Sequence, residues 1–481
     1  MSNRRIDYKW RVGIVFVFGN FMQLLDVTIV NVALPTFGKV FEADATQIEW
    51  VVTGYLLSLA VFIPVSGWAG DRFGMKRVFM LALALFTVGS LLCGLAWNIE
   101  SLSVFRVLQG AGGGIMTPVG ITMLFRAFPP EERARASSLL LIPSVLAPAC
   151  GPLVGGALVQ YLSWRWIFFV NLPFGVLGLL AAAKFLREER QPNPGRLDVP
   201  GLVLGGSGLA MAVYALSQAG SHGFGNRRVA ILGLVGLLLL GMFAIAELRA
   251  RQPMIDLRLL GNRLFRSANL VVMPISGGLN GTLFLFPIFL QSARGLDAFQ
   301  SGLTTFPQAV GVVIGAPIVG HIYGRVGPRR LIFAGVTGLA LLSAALVAVS
   351  LTASLWWVRL ILFCMGLSGS MTMTPAQTAA FATIKREDQG RATAIFAAGR
   401  QVGGSIGVAI VATVLMNRLM HYGAALGDPG TADSAMKAVH VAFIAGAGVF
   451  ALALLALIGI RDSEAMAFER ASTAVPAASE L

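Results

Sequence analysis

Charged residues are scarce in this chain. Only 12% of its 481 residues are Asp, Glu, Lys or Arg, against about 25% in a typical soluble domain. So little charge cannot clothe a soluble surface of this size. With 56% hydrophobic residues and a mean hydropathy of +0.76, lipid is the expected solvent. Acids are scarcer than bases, 23 against 37, for a net charge of +14. The bases sit in short runs between apolar stretches, such as Asp71-Arg72-Phe73-Gly74-Met75-Lys76-Arg77, and form no stripe with interleaved aromatics. No nucleic-acid partner is expected; positive charge in short loops orients membrane proteins instead. Cysteine is nearly absent. Cys93, Cys150 and Cys364 are odd in number and lie in apolar runs, which excludes a disulfide framework or a metal spacing. The four histidines, His222, His321, His421 and His440, are scattered, with no HExxH motif. No metal site and no enzyme are expected, and the lack of a GxxxxGK[ST] loop speaks against ATP-driven transport.

What the chain has in abundance is long apolar runs. A helix needs about 20 apolar residues to cross the hydrocarbon core. Such runs occur near 12–34, 48–68, 77–97, 99–125, 137–160, 166–186, 199–219, 229–249, 268–290, 301–323, 331–351, 355–381, 392–416 and 440–460. The expected fold class is an all-α integral membrane protein with fourteen transmembrane helices. The first run is too long for a cleavable leader and carries Asp26. An even count puts both chain ends on one side. Alternate loops divide the bases by more than three to one: one set includes Arg72, Arg126, Arg187, Arg258 and Arg329, the other only Lys39, Arg165, Arg227, Arg228, Arg294, Arg418 and Lys437. The positive-inside rule makes the first set, and both termini, cytoplasmic. Trp50, Trp97, Trp164, Trp356 and Trp357 then fall at outer ends, where aromatic belts form.

The chain also repeats itself. Gly67-x-x-x-Asp71-Arg72-x-Gly74-x-Lys76-Arg77 follows span two, and Gly320-x-x-x-Gly324-Arg325-x-Gly327-x-Arg329-Arg330 follows span ten. Arg106 and Arg359 keep the same offset from these loops, and Arg135-Ala136-Ser137 and Arg391-Ala392-Thr393 follow at nearly that offset. The chain thus divides into an N-terminal six-helix bundle over 1–190, a linker with two extra transmembrane helices over 191–265, a C-terminal six-helix bundle over 266–465 and a cytoplasmic tail over 466–481. Two pseudo-symmetric six-helix halves with a site between them at mid-membrane is a transporter arrangement.

Four motifs, in order, carry a family resemblance. The Gly67 to Arg77 loop is similar to the cytoplasmic loop motif of the major facilitator superfamily. Arg106-Val107-Leu108-Gln109-Gly110 resembles its proton-coupling motif, and Pro148-Ala149-Cys150-Gly151-Pro152-Leu153-Val154-Gly155-Gly156 its antiporter motif. Leu25-Asp26-Val27-Thr28-Ile29-Val30-Asn31-Val32-Ala33-Leu34-Pro35 resembles the first-span signature of the fourteen-spanning drug:proton antiporter branch, and the run from Trp164 to Pro173 fits that branch too. The resemblance covers nearly the whole chain. It implies proton-coupled efflux of small amphipathic or lipophilic compounds, as in multidrug resistance or secondary-metabolite export, by alternating access in a bacterial cytoplasmic (inner) membrane. The expected partners are the small-molecule substrate, protons and the bilayer. A monomer is expected, with no cofactor beyond the proton gradient as energy source.

Asp26 is the only carboxylate expected well inside a span, and intramembrane ionisable groups are functional candidates by default. Asp26 lies nine residues before Pro35, and Arg106 eight after Asn98. At 1.5 Å per residue both sit roughly 12–14 Å below the outer face. Opposite charges at one depth can pair where their helices meet. An adjacent arginine favours the ionised acid and desolvation favours the neutral one. A protein alternating these environments would bind and release a proton in each cycle. Such a pair would otherwise serve only to fix helix packing.

The resemblance further implies a cytoplasmic gate of Gly67, Asp71, Arg72, Gly74, Lys76 and Arg77. In it Asp71 would meet the positive N-terminus of span thirteen near Gly390 to Ala394, with Arg72 and Arg77 on helix ends and lipid phosphates. Gly151 and Gly155 would let another helix approach span five closely, and Gly311 and Gly315 offer a matching small face. Expected substrate-cavity residues are Met22, Gln23, Gln109, Asn280, Phe284, Gln377 and Arg400, with Phe125 and Phe286 as further aromatics. Arg400 would take an anionic or electron-rich group, or else snorkel to the cytoplasm. The C-terminal half shows no buried acid, which favours neutral, zwitterionic or monocationic substrates over dications. A proton-coupled importer of a small metabolite is the competing reading, and the antiporter motif speaks against it. A proline-containing linker from Arg187 to Pro200, an outer loop near Met420 to Ala438 and a disordered tail after Ala471 complete the expectations.

Overall fold

In a computed structural model of the chain, the described residues are 7–128, 147, 150–189, 197–223, 225–250, 253, 255–351, 353–384 and 388–460. Among them are thirteen helices long and apolar enough to cross a membrane. They are α1 (Tyr8–Phe41), α2 (Ala45–Phe73), α3 (Met75–Gly94), α4 (Ile99–Ala127), α6 (Trp166–Phe185), α7 (Val199–His222) and α8 (Arg227–Arg249). The rest are α9 (Arg263–Pro287), α10 (Ala298–Val326), α11 (Pro328–Ala345), α12 (Leu355–Phe381), α13 (Gln389–His421) and α14 (Ala432–Ala456). The span expected at 137–160 is described at 147 and from 150 onward, and its helix α5 runs over 150–161. The expected tail, 466–481, lies outside the described residues, as do residues 190–196 of the linker expected from Arg187 to Pro200.

Polar caps set the helix starts. Asp44 accepts from the Gln47 amide at 2.8 Å while Gln47 returns a bond to the Asp44 amide at 3.0 Å. Asn98 and Ser101 close a similar box on α4, and Asp297 caps α10. Each cap satisfies amides that a helix leaves unpaired. After Pro287, α9 widens into a π-helical turn, Ile288–Ala293.

The packing repeats between the halves. In the first, α2 lies on α4, α3 on α4 and α6, and α1 on α4 and α6. In the second, α10 lies on α12, α11 on α12 and α14, and α9 on α12 and α14. The two loop glycines share one backbone conformation, φ 99° at Gly74 and φ 86° at Gly327, which side-chain-bearing residues rarely adopt. The inserted pair α7–α8 packs tightly at Gly208 and Gly236. Its outer helix shows Leu234, Leu237, Leu238, Met242 and Ile245 at the surface, a face suited to lipid.

The halves meet on the side of the membrane opposite the chain termini, here called the far side. There Gln291 Nε2 donates to the Val32 carbonyl at 2.8 Å. Gly302 of α10 lies against Pro152 of α5, and Gly404 of α13 against Leu56 of α2. Toward the termini the halves part. Gly67 on α2 and Gly390 on α13 have open space around them, and Thr374, Gln377, Thr378 and Arg400 are exposed. A cavity between the halves therefore opens on the termini side.

Within the second half, α9 and α13 touch backbone to backbone. A Cβ on Gly277 would lie 2.8 Å from the Gly403 carbonyl oxygen and 3.2 Å from the Gly407 Cα. The Gly277→Ala substitution should therefore destabilise the protein by about 1–3 kcal/mol through overpacking. A lowered unfolding temperature in detergent, with α-helical content unchanged before the transition, is the expected measurement.

Candidate functional site

Asp26 and Arg106 meet in the centre of the first bundle, both fully buried. Arg106 Nη1 donates to Asp26 Oδ2 at 2.5 Å. The other carboxylate oxygen accepts from Gln109 Nε2 at 2.8 Å and Asn171 Nδ2 at 3.0 Å. Three donors and no acceptor address the acid, the set that an ionised carboxylate needs. Arg106 is held in turn by the Gln109 Oε1 at 2.5 Å and the Val51 carbonyl at 3.1 Å, and its guanidinium lies 3.9 Å from the Tyr55 ring centre. Ser90 accepts from Gln109 at 2.7 Å and from Asn171 at 3.3 Å. Buried charge is tolerated where it is paired and hydrogen-bonded, and here α1, α2, α3, α4 and α6 each contribute a partner.

Arg106 and Gln109 reach the same acid because positions i and i+3 share a helix face. Gln109, expected in the substrate cavity, is a fully buried member of this network. Asn171 was expected only as part of the Trp164 to Pro173 run, with no role in the site, and Ser90 carried no expectation. The visible signal for Asn171 was an amide inside an apolar run. Among the described residues the second copy shows no such centre: Arg359, at the matching offset, lies 4.8 Å from the Trp356 ring.

Other expected cavity residues divide. Met22, Phe284 and Phe286 are core side chains, because the helices around them close over these positions. Phe125 packs beside Phe16, Leu124 and Phe128, and Gln23 receives a hydrogen bond from Thr117. Asn280 stays half-buried, its amide on the Ser276 carbonyl at 2.9 Å and beside Gly404. Gln377 and Arg400 are exposed. Arg400 is accessible, and no ion pair or hydrogen bond is described for it. It lies one turn from Gly404, toward the opening, and so lines the cavity.

The loop after α2 holds the termini side of the first bundle. Lys76 Nζ donates to the Ala183 carbonyl at the end of α6, at 2.7 Å, and Arg77 faces Glu188 at 3.5 Å. Gly74 lies beside the Glu188 side chain, and its φ of 99° favours glycine. Asp71 does not meet the start of α13. It faces Arg126 at 3.6 Å, and Arg126 also faces Glu189 at 3.9 Å. The expected latch to α13 is open here because the halves have parted on this side. Arg391, in the first turn of α13, faces Asp256 at 3.4 Å instead. Arg72 is exposed.

In the antiporter motif, Pro148 lies outside the described residues. Gly151 fits against Thr28 of α1 and Gly155 against Ile29, both just past Asp26. Thr28 Oγ1 bonds the Ala147 carbonyl at 3.4 Å. Gly156 meets Ala298 and Phe299 at the start of α10, and Pro152 meets Gly302. The partners of α5 are therefore α1 and the far-side end of α10. Gly311 and Gly315 are packed instead on Gly366 and Ser370 of α12, within their own half. Asp26 remains the one described carboxylate well inside a span, but it is not the only buried acid. Glu49 of α2 and Glu247 of α8 are also fully buried. Both sit near helix ends, where an acid in sequence resembles an interfacial residue.

The sequence profile described as Major Facilitator Superfamily matches residues 16–408. The chain is 36% identical over 418 residues to the Multidrug resistance protein B homolog of Mycobacterium tuberculosis (strain H37Rv), covering 85% of this chain and 77% of that protein. It is 31% identical over 421 residues to the uncharacterized MFS-type transporter YhcA of Bacillus subtilis (strain 168), covering 87% and 79%. A solved POT family peptide transporter, in an auto-inhibited form, superposes with a TM-score of 0.67 over 93% of this chain and 96% of that one. At 14% identity, that likeness speaks for the fold alone.

The α5–α10 contact allows a direct test of the far-side closure. A Cβ on Gly156 would lie 2.5 Å from the Ala298 carbonyl oxygen and 2.9 Å from the Phe299 Cα. The Gly156→Val substitution should penalise this closure by about 1–3 kcal/mol. That would shift the population toward far-side opening by roughly 5- to 150-fold. The expected result is faster labelling, by a membrane-impermeant thiol reagent, of a cysteine introduced at Val32 in a background lacking the three native cysteines.

Proposed function

This chain belongs to the major facilitator superfamily, a membrane transporter and not an enzyme, and we propose that it exports small amphipathic or lipophilic compounds in exchange for protons. Its place is a bacterial cytoplasmic membrane, with both termini and the open cavity on the cytoplasmic side. That orientation follows from the excess of bases in the loops on the termini side. The relative's multidrug-resistance name supports export, as does the antiporter motif on α5.

The single observation that carries the coupling is the sealed Asp26, its two oxygens occupied by Arg106, Gln109 and Asn171. In the state open to the cytoplasm the acid is paired, and the bound proton has left. Two residues on, α1 forms the seam with α5 at Thr28 and Ile29. Opening the far side must slide α1 along that seam and along α10. An acid that loses its cation while staying desolvated takes up a proton, and renewed pairing expels it. Protons therefore enter from outside and leave inside, while the substrate moves outward. The cavity offers Asn280, Gln377 and Arg400 among apolar walls, a lining for neutral, zwitterionic or monocationic amphipaths. Arg400 faces an electron-rich group of the substrate.

Reconstituted in vesicles loaded with acid, the protein should accumulate substrate as protons leave; proton symport would instead deplete the vesicles. Asp26→Asn should abolish this proton-driven accumulation, with substrate binding retained. Leaving Arg106 without its partner costs about 3–5 kcal/mol, so size-exclusion behaviour is read alongside. Accumulation at the wild-type rate in Asp26→Asn overturns the assignment of Asp26.

A further inference from the structure

The inserted pair α7–α8 lies outside the two six-helix halves, yet α7 touches both. Thr413 of α13 donates to the Leu216 carbonyl of α7 at 2.9 Å, and Gly220 lies against Thr413. On the other side, Ser217 Oγ donates to Glu49 Oε2 of α2 at 2.5 Å. Leu57, Val213 and Ala409 form one buried cluster from the three helices. These contacts all lie toward the far side, where the halves close. The contact of α7 is broader with α13 than with α2. Far-side opening that parts α2 from α13 would therefore leave α7 on α13, its broader partner, and strain the Ser217–Glu49 bond.

Glu49 is fully buried at this junction. Oε1 accepts no hydrogen bond, and Thr53, one turn on, presents its hydroxyl to the same carboxyl without completing one. The ionisable groups around it can be named helix by helix. On α7, Tyr214 is the only one between Asp198 and His222, and its ring lies against Trp50, 5.7 Å between centres. On α13 there is none between Arg400 and Arg418. On α4, Arg106 is committed to Asp26 and the Val51 carbonyl, and Glu100 receives a bond from Gln47 at 3.4 Å. Among the described residues no cation is bonded to Glu49. A desolvated anion without a cation is costly, and a proton removes that cost. Serine can also donate to the carbonyl oxygen of the neutral acid, so the Ser217 bond does not require the charge.

We propose that Glu49 is a second proton-binding site of the transport cycle, covered by the inserted helix α7 and opened to the far-side solution when Ser217 withdraws. The proton sits on the Glu49 carboxyl while the far side is closed. It passes to far-side water when the junction parts, and is taken back before closure. This assignment rests on the proton-coupled reading above, and it gives the inserted pair a role: α7 makes far-side opening and Glu49 deprotonation one event.

The test uses the full-length protein in proteoliposomes, with Glu49→Gln, Ser217→Ala and Asp26→Asn compared. Glutamine keeps an acceptor for Ser217 and preserves the shape of the junction. Glu49→Gln should still be driven by the proton gradient through Asp26, but its far-side pH profile should lose the step that belongs to Glu49 and so shift its midpoint. It should also lose a protonated-carboxyl band from the infrared spectrum of the resting protein. Ser217→Ala should keep that band and move the far-side pH midpoint. An unchanged far-side pH profile in both variants, or an infrared spectrum unaltered by Glu49→Gln, overturns the proposal. If Glu49→Gln fails to fold, the Ser217→Ala midpoint decides, and an unmoved midpoint overturns it. Coupling preserved in Asp26→Asn counts against the Asp26 reading instead, so the two failures are distinguishable.

Discussion

A carboxylate buried in a lipid-surrounded bundle must be matched group for group, and the first half of this protein is arranged around that demand. Asp26 lies out of reach of solvent. Its oxygens take donors from α4 and α6, and the arginine that neutralises it is steadied by α2 and by Gln109. Removing any one donor leaves an Asp26 oxygen short of a hydrogen bond in a low-dielectric interior, where an unpaired polar group is costly. The same helix carries Thr28 and Ile29 into the glycine face of α5. The charge centre and the sliding surface are therefore neighbours on one rigid element, and motion at the seam cannot leave the acid's surroundings unchanged.

The two halves share a framework and divide the chemistry. Both turn their first loop through a glycine in the same conformation, and the helix pairings correspond one for one. Among the described residues the buried acid–arginine pair belongs to the first half alone. In the second, Arg359 rests on an aromatic ring, and glycine stands where the first loop has Asp71. That half contributes close backbone packing at Gly277, Gly403 and Gly407 and the cavity-facing Arg400. A repeat unit can thus keep its shape, which depends on small residues and helix lengths, while losing one copy of a charge pair. The loop after α2 illustrates a state-dependent partner. With the termini side open, Asp71 faces Arg126 and the start of α13 faces Asp256.

The inserted helices show why burial cannot be judged from a single span. Taken alone, α7 is an apolar run with one tyrosine. In the fold it closes over Glu49 and bonds to both halves. Its partner α8 turns most of its leucines to the surface.

The fold class, the count of spans, the internal repeat and the pairing depth of Asp26 and Arg106 were legible in the sequence. Those properties follow from hydrophobic run length, residue spacing and the rise of a helix, all local quantities. The family followed from motifs in order. The rest depended on which helix faces meet. Gln109 lies one turn from Arg106 and looks like a cavity residue until α3 and α6 close over it. Asn171 and Ser90 are ordinary polar residues until they converge on one oxygen. Gly311 and Gly315 face α12 rather than α5, since small residues permit close approach without naming a partner. Glu49 looks interfacial from its place near a helix end, and only the arrival of α7 from 168 residues away buries it. Sequence spacing sets depth along a helix; rotation about the axis and choice of neighbour come from packing across the whole bundle, and those two decided the site.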